Sequence, residues 1–194
     1  MRILVFLIVI VFFSFGCNSD QKANIKTISK DSVLIVKDTI GKPFFNFDEV
    51  VHYNIGISDE EFDKLFDSKK HSQKILRDML TAEYPGQMTD SSFWVNLKSI
   101  KKTEKVINSK YFQELNSAIF VEKKCHNIYA VACIPVFRDI LVFKKKNKVI
   151  GLAKICFKCG MYHIEGSNSN VECFGMDKEY KRLKKLLDEN SASE

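Results

Sequence analysis

None of the short motifs that announce common chemistries occurs in this chain. There is no G-x-S-x-G, no H-E-x-x-H, no phosphate loop and no G-x-G-x-x-G. The familiar signatures of serine hydrolases, zinc proteases and nucleotide-binding folds are therefore excluded. Proline occurs three times and glycine eight times in 194 residues, with no Gly/Ser-rich spacer. That argues against a linker between two domains, and no internal repeat is present. Arginine is restricted to Arg2, Arg77, Arg138 and Arg182, so the formal charge of +6 comes mostly from lysine. Bidentate phosphate and base readout favours arginine, whereas lysine is a hydrated point charge. The lysines are also dispersed: Lys144-Lys145-Lys146 at a hairpin tip, Lys181 to Lys185 on a helix face. With no RNA- or DNA-binding motif beside them, they read as solvated surface, and no nucleic-acid partner is expected. The single tryptophan, Trp94, reads as a core anchor.

What is present is ordinary for a globular protein, at 45% hydrophobic and 28% charged residues. The N-terminus departs from that average. Met1-Arg2 precedes an unbroken apolar run, Ile3 to Phe13, then Ser14-Phe15-Gly16-Cys17. A positive start, a short apolar stretch and a small residue before a cut describe a secretory signal peptide. The run is shorter than the roughly 20 residues of a membrane-spanning helix. Residues 1–16 resemble a bacterial lipoprotein signal, which implies acylation of Cys17 and a membrane-bound domain. Ser14-Phe15 departs from the commoner Leu and small residue of such signals. Residues 17–31 are polar and aperiodic and read as a flexible tether. A single domain is expected over 32–190.

The domain is organised around residues 138–156. Ile140 to Phe143 and Val149 to Ile155 are apolar runs, the second broken only by Gly151 and Lys154. Asn147 lies between them and tolerates positive φ, so the segment reads as a β-hairpin. Strands apolar on both faces sit where both faces are covered, which puts the hairpin at the sheet's centre. Upstream, Ser32 to Thr39 and Phe44 to Ile55 read as extended, with His52 a partly buried structural residue. Ser58 with Glu61 forms a capping box ahead of Phe62, Leu65 and Phe66. Further helices are expected around Ile75 to Leu80, from Asp90 or Ser91, and from Asn108 or Ser109. Lys101 to Ile107 reads as a connecting strand. Downstream, Met161 to Ile164 and Val171 to Phe174 read as short strands. Asp177 is expected to cap a last helix whose stripe Tyr180, Leu183, Leu186 and Leu187 docks on the sheet. Helices in mid-chain and strands after about residue 127 define an α+β domain, an antiparallel sheet packed by several helices.

Six cysteines remain to be placed: Cys17, Cys125, Cys133, Cys156, Cys159 and Cys173. With Cys17 acylated, five thiols are left, and an odd number cannot all pair within one chain. Cys156-Phe157-Lys158-Cys159-Gly160 closes the second strand of the hairpin and admits three readings. It is a structural element, with a local disulfide or two packed thiols. Or it is half of a zinc knuckle, because such a turn brings both sulfurs to one side. Cys133 and Cys173 are then the first further donors, with His126, His163 and Cys125 weaker. Or it is a redox pair, although the residues after Cys159 do not start the helix that would activate a thiol. Arg138-Asp139 reads either as an ion pair at the sheet's edge or as a polar contact to a ligand. A Cys–His nucleophile dyad such as Cys125-His126 is unsupported, since sequence neighbours rarely point at each other.

The pattern Cys133-x-Pro135, Arg138-Asp139-Ile140-Leu141-Val142-Phe143, Lys154-Ile155-Cys156-Phe157-x-Cys159, Phe174-Gly175 and a Tyr180-x-x-Leu183 helix resembles lipoproteins of Bacteroidetes-type bacteria. The resemblance covers about a third of the chain. It implies a bacterial envelope location, outer membrane with a periplasmic or surface-facing domain, and no particular activity. Two functions are therefore expected in order. The first is a non-enzymatic binding or interaction module held at the membrane by its lipid, with an envelope protein as a candidate partner and zinc as a candidate cofactor. The second is a thiol–disulfide redox protein using Cys156 and Cys159.

Overall fold

Five antiparallel strands in the order β2-β1-β3-β4-β5 make the sheet of this computed structural model, which describes residues 41–125 and 132–193. The strands are β1 (Glu49–Asn54), β2 (Thr103–Val106), β3 (Asp139–Lys145), β4 (Lys148–Cys156) and β5 (Met161–Glu165). The signal peptide, the tether and the expected strand at Ser32 to Thr39 lie outside the described residues. The hairpin is β3–β4, and β3 is the middle strand. Its two turn residues, Lys146 and Asn147, both have positive φ (48° and 62°), the left-handed geometry that a tight hairpin requires.

The lack of alternation in the hairpin has the expected cause. Ile140, Val142 and Leu152 pack on one face with Phe62, Leu65, Met79, Leu80, Phe93 and Leu97. Leu141, Phe143, Ala153 and Ile155 pack on the other, with Phe44, Phe45, Phe47, Phe120, Leu183, Leu186 and Leu187. The first cover consists of α1 (Asp59–Asp63), α2 (His71–Thr81) and α3 (Ser91–Ser99). The second consists of the extended segment around Phe44 to Phe47, α4 (109–119) and α5 (Glu179–Ala192). Helix α4 is irregular: 3₁₀ over Ser109–Tyr111, α over Phe112–Glu114 and π over Leu115–Ile119. Gly151 interrupts β4 for a packing reason. A Cβ there would collide with the edge of the Phe45 ring, which lies across the strand.

The helix starts follow their side chains. Ser58 and Glu61 form both bonds of the capping box, and Asp90 accepts from the backbone of Ser92 and Phe93. Two local expectations are corrected. Residues 171–174 form turns instead of a strand, with Phe174 N–H donating to Val171 O at 2.9 Å. Asp177 does not cap α5. Lys178 stands at that position without a side-chain bond, and Asp177 offers its own backbone N–H to Glu179 Oε2.

Lys154 is the departure with the largest physical consequence. It is fully buried, on the same face as Ile140 and Leu152. Its Nζ donates to Ala82 O (2.7 Å) and Tyr84 O (2.9 Å) and lies 4.8 Å from the centre of the Phe137 ring. The amine thus ties the chain just beyond α2 to the sheet. Burial pushes its pKa down to about 7, partly offset by Glu83. The folded pKa is depressed, so between about pH 7 and the ordinary 10.5 the unfolded chain binds a proton that the folded one does not. Stability from this group therefore rises with pH across that window, by up to about 1.4 kcal/mol per pH unit. Urea melts at pH 7.5 and pH 9 are expected to show this rise and to lose it in Lys154→Met; an unchanged slope in the variant would place the effect elsewhere.

Candidate functional site

The alternation of β1 changes character along its length. Val50 joins the core on the α5 side, but His52 and Asn54, next on the same face, are polar. The register sets Lys105 beside His52 and Thr103 beside Asn54 on β2, and Asp139 beside Asn54 on β3. Helix α5 covers the apolar part of this face. Beyond it, the polar strand ends form the floor of a cleft of about 360 Å³. Lys184, Leu187, Asp188 and Ser191 of α5 and Phe157 line the remainder.

Asp139 is the centre of this floor. Its Oδ1 accepts from His52 Nε2 at 2.9 Å and from Asn54 Nδ2 at 2.8 Å. A carboxylate only accepts, so the bond fixes a hydrogen on Nε2 and leaves Nδ1 as the other ring position. The side chains of His52 and Asp139 are only 10% and 15% exposed. Oδ2 of Asp139 has no hydrogen bond among the described residues. Such an oxygen, on a mostly buried side chain that lines a cavity, is an acceptor for a donor brought from outside. The wall groups are more engaged. Lys184 reaches Asp188 at 3.2 Å and Lys105 donates to Ser191 O at 3.1 Å.

Of the residues expected to matter, Asp139 is in the cleft and Arg138 is not. Arg138 donates to Ile57 O (2.8 Å) and Asp59 Oδ1 (2.7 Å), while Lys158 takes Asp59 Oδ2 (2.8 Å). Lys158 and Arg138 together hold the Asp59 carboxyl below its ordinary range. Arg138 therefore fastens the start of α1 to the hairpin. The expected Arg138–Asp139 ion pair does not form, because the two have different partners, and β3 is a central strand, not an edge. His52 is indeed mostly buried, but its imidazole contributes to the cleft as well as to the fold. Asn54, Thr103 and Lys105 carry no sequence signal beyond their alternation, since they meet the α5 residues only through the fold, from three separated segments.

The cysteines pair differently from the local expectation. Cys133 is bonded to Cys159 (Cα–Cα 6.2 Å) and Cys125 to Cys173 (5.6 Å). Cys156 is a free thiol and buried. A Cys156–Cys159 disulfide is therefore absent, and three of the four candidate ligands are consumed as disulfides. Cys173 is bonded to Cys125 and so is not a donor for the knuckle it was expected to complete. His163 is also engaged, its Nε2 bonded to Pro85 O at 2.8 Å, and burial pushes its pKa down. His126 lies outside the described residues. Among the described residues no group of three or more His, Cys, Asp or Glu could hold a metal ion, so these residues do not fit the expected zinc site. Nor is any helix among them long and apolar enough to cross a membrane. Searches of protein-family models, curated proteins and solved structures find no match to this chain.

Proposed function

We propose that this chain is a lipid-anchored protein of the bacterial envelope whose domain binds a small polar ligand in the His52–Asn54–Asp139 cleft without transforming it. The observation that carries the binding role is the Asp139 carboxylate. His52 and Asn54 hold it through one oxygen, the other has no hydrogen bond among the described residues, and the side chain lines a cavity. A ligand that donates a hydrogen bond or a positive charge to Oδ2 completes the set. No serine, threonine or cysteine is hydrogen-bonded to His52 among the described residues, so the imidazole activates no visible nucleophile.

Two features support the envelope location. Two disulfides are the mark of an oxidising compartment. The second feature is the sequence itself, since the apolar run Ile3 to Phe13 leads directly into Gly16-Cys17, the arrangement of an acylated lipoprotein signal. Cys17→Ala should shift the protein from the detergent phase to the aqueous phase on phase partitioning. Unchanged partitioning would remove the anchor from the proposal while leaving the cleft untouched.

The cleft is tested by titrating the folded domain with a panel of monosaccharides, amino acids and small amines while following backbone amide shifts. Shifts are expected to cluster at His52, Asn54, Thr103 and Asp139. Asp139→Ala should weaken the binding about tenfold or more, since a hydrogen bond to a charged group contributes about 1.5–3 kcal/mol. A thermal melt of the variant separates loss of binding from loss of fold. Titrations that move no cleft amide, or that survive Asp139→Ala, would refute the binding role.

A further inference from the structure

We infer that Cys133, Cys156 and Cys159 form a thiol–disulfide exchange site that can move its free thiol from the core to the surface. This goes beyond the ligand-binding proposal and does not depend on the cleft. Three cysteines meet at the end of β4. Cys156 is the last residue of that strand, and residues 157–160 are the turn into β5, where Met161 pairs back with Cys156. Within the turn, the Cys159 N–H donates to the Cys156 sulfur at 3.4 Å. The irregular segment that leads into β3 runs over the same spot. Val136 N–H donates to the Cys156 sulfur at 3.4 Å, while the carbonyl of Ile134 lies 3.6 Å from the sulfurs of both Cys133 and Cys159. One short stretch of backbone, 133–136, therefore touches all three sulfurs.

Cys159 thus has two partners within reach. Residues three apart across a tight turn lie within about 7 Å between their Cα atoms. A disulfide spans roughly 4.4–6.8 Å. The Cys133–Cys159 bond observed here uses 6.2 Å of that range. The two possible partners differ in their surroundings: Cys156 is 2% exposed, whereas Cys133 is exposed and stands beside Ile134, itself 66% exposed.

The step conserves atoms and electrons. The Cys156 thiol loses its proton to water, and the thiolate attacks the Cys159 sulfur. A Cys156–Cys159 bond forms, the Cys133–Cys159 bond breaks, and Cys133 leaves as a thiolate that takes a proton from water. One disulfide and one thiol enter and one of each leaves, so no oxidant or reductant is consumed. The product is the Cys-x-x-Cys disulfide, together with an exposed Cys133 thiol able to form a mixed disulfide with another envelope protein. The Cys125–Cys173 bond takes no part.

The test maps thiols in the full-length protein. It is incubated at pH 8 with glutathione at roughly one-twentieth of its molar concentration, an amount that can start exchange but cannot reduce the population. Exposed thiols are blocked with N-ethylmaleimide under native conditions. The protein is then unfolded, a heavy maleimide marks what was buried, and non-reduced peptides are read by mass spectrometry. Light label on Cys133 should exceed the equivalents of glutathione added, and peptides linked Cys156–Cys159 should rise with it. Cys156→Ser should abolish both while keeping Cys125–Cys173. Cys133–Cys159 retained with heavy label on Cys156 alone would overturn the inference, and so would light label on Cys133 that persists in Cys156→Ser. The wild-type map decides the matter even if the variant folds poorly. Neither result bears on ligand binding at Asp139.

Discussion

Phe143→Ala is expected to lower the unfolding free energy by about 3–5 kcal/mol, the usual cost of emptying a fully buried aromatic site. Phe143 is inaccessible to solvent and sits on the central strand. Its ring stacks on Phe45 at 4.2 Å and meets Phe120 at 5.0 Å and Phe47 at 5.3 Å. The hole could not close from the neighbouring strand, because the residue paired with Phe143 is Gly151. Nor could the Phe45 ring move in freely, since it already covers that glycine. The residual cavity should therefore persist, which places the cost in the upper part of the range. Chemical denaturation with an unchanged m-value is the measurement, and Val149→Ala is the control. Val149 is 41% exposed and should cost under about 0.5 kcal/mol. Equal losses for the two would show that the aromatic cluster is not the centre of the fold.

The second large effect is expected from the Cys125–Cys173 disulfide. Its two cysteines are 48 residues apart. Closing a loop of that length removes chain entropy from the unfolded state equivalent to about 4 kcal/mol, and measured values run about 2–4. Cys125→Ala with Cys173→Ala should therefore reduce stability by about 2–4 kcal/mol. The folded-state reason is equally specific. Residues 166–178 have no regular secondary structure, yet they deliver Phe174 to the core, where it stacks on Phe120 at 5.3 Å and meets Tyr162 at 5.1 Å. The bond holds that aromatic in place through the residue just before it. A melt of the double variant within about 0.5 kcal/mol of the parent would mean that the loop is held by Phe174 alone.

These expectations concern the parts of the molecule that sequence reasoning read best and worst. The β3–β4 hairpin was legible because its two apolar runs flank a turn residue that accepts positive φ. Its central place followed from the missing alternation. Helix starts at Ser58 and Asp90 were legible because a single side chain satisfies the first backbone N–H groups. Helix α5 was legible from its stripe, but its start was not. Asp177 has a capping side chain, yet it lies 3.8 Å from the Lys123 amine and leaves the cap position to Lys178. The cleft was nearly invisible. Asp139 was singled out, but His52, Asn54 and Thr103 acquire meaning only through strand register, across separations of up to 87 residues. The disulfide pattern was misleading for a related reason. Two cysteines three apart suggest each other, whereas the fold sends Cys156 into the core and Cys159 toward the irregular segment that carries Cys133.

On the far side of β1 from β3 lies β2, which is four residues long and carries Glu104 and Lys105. Unpaired backbone along a margin invites another molecule's strand to join it. A margin this brief, bearing charges of both signs, offers too few bonds for a second copy to zip onto. Copies of the domain at high concentration should therefore not join one another through β2.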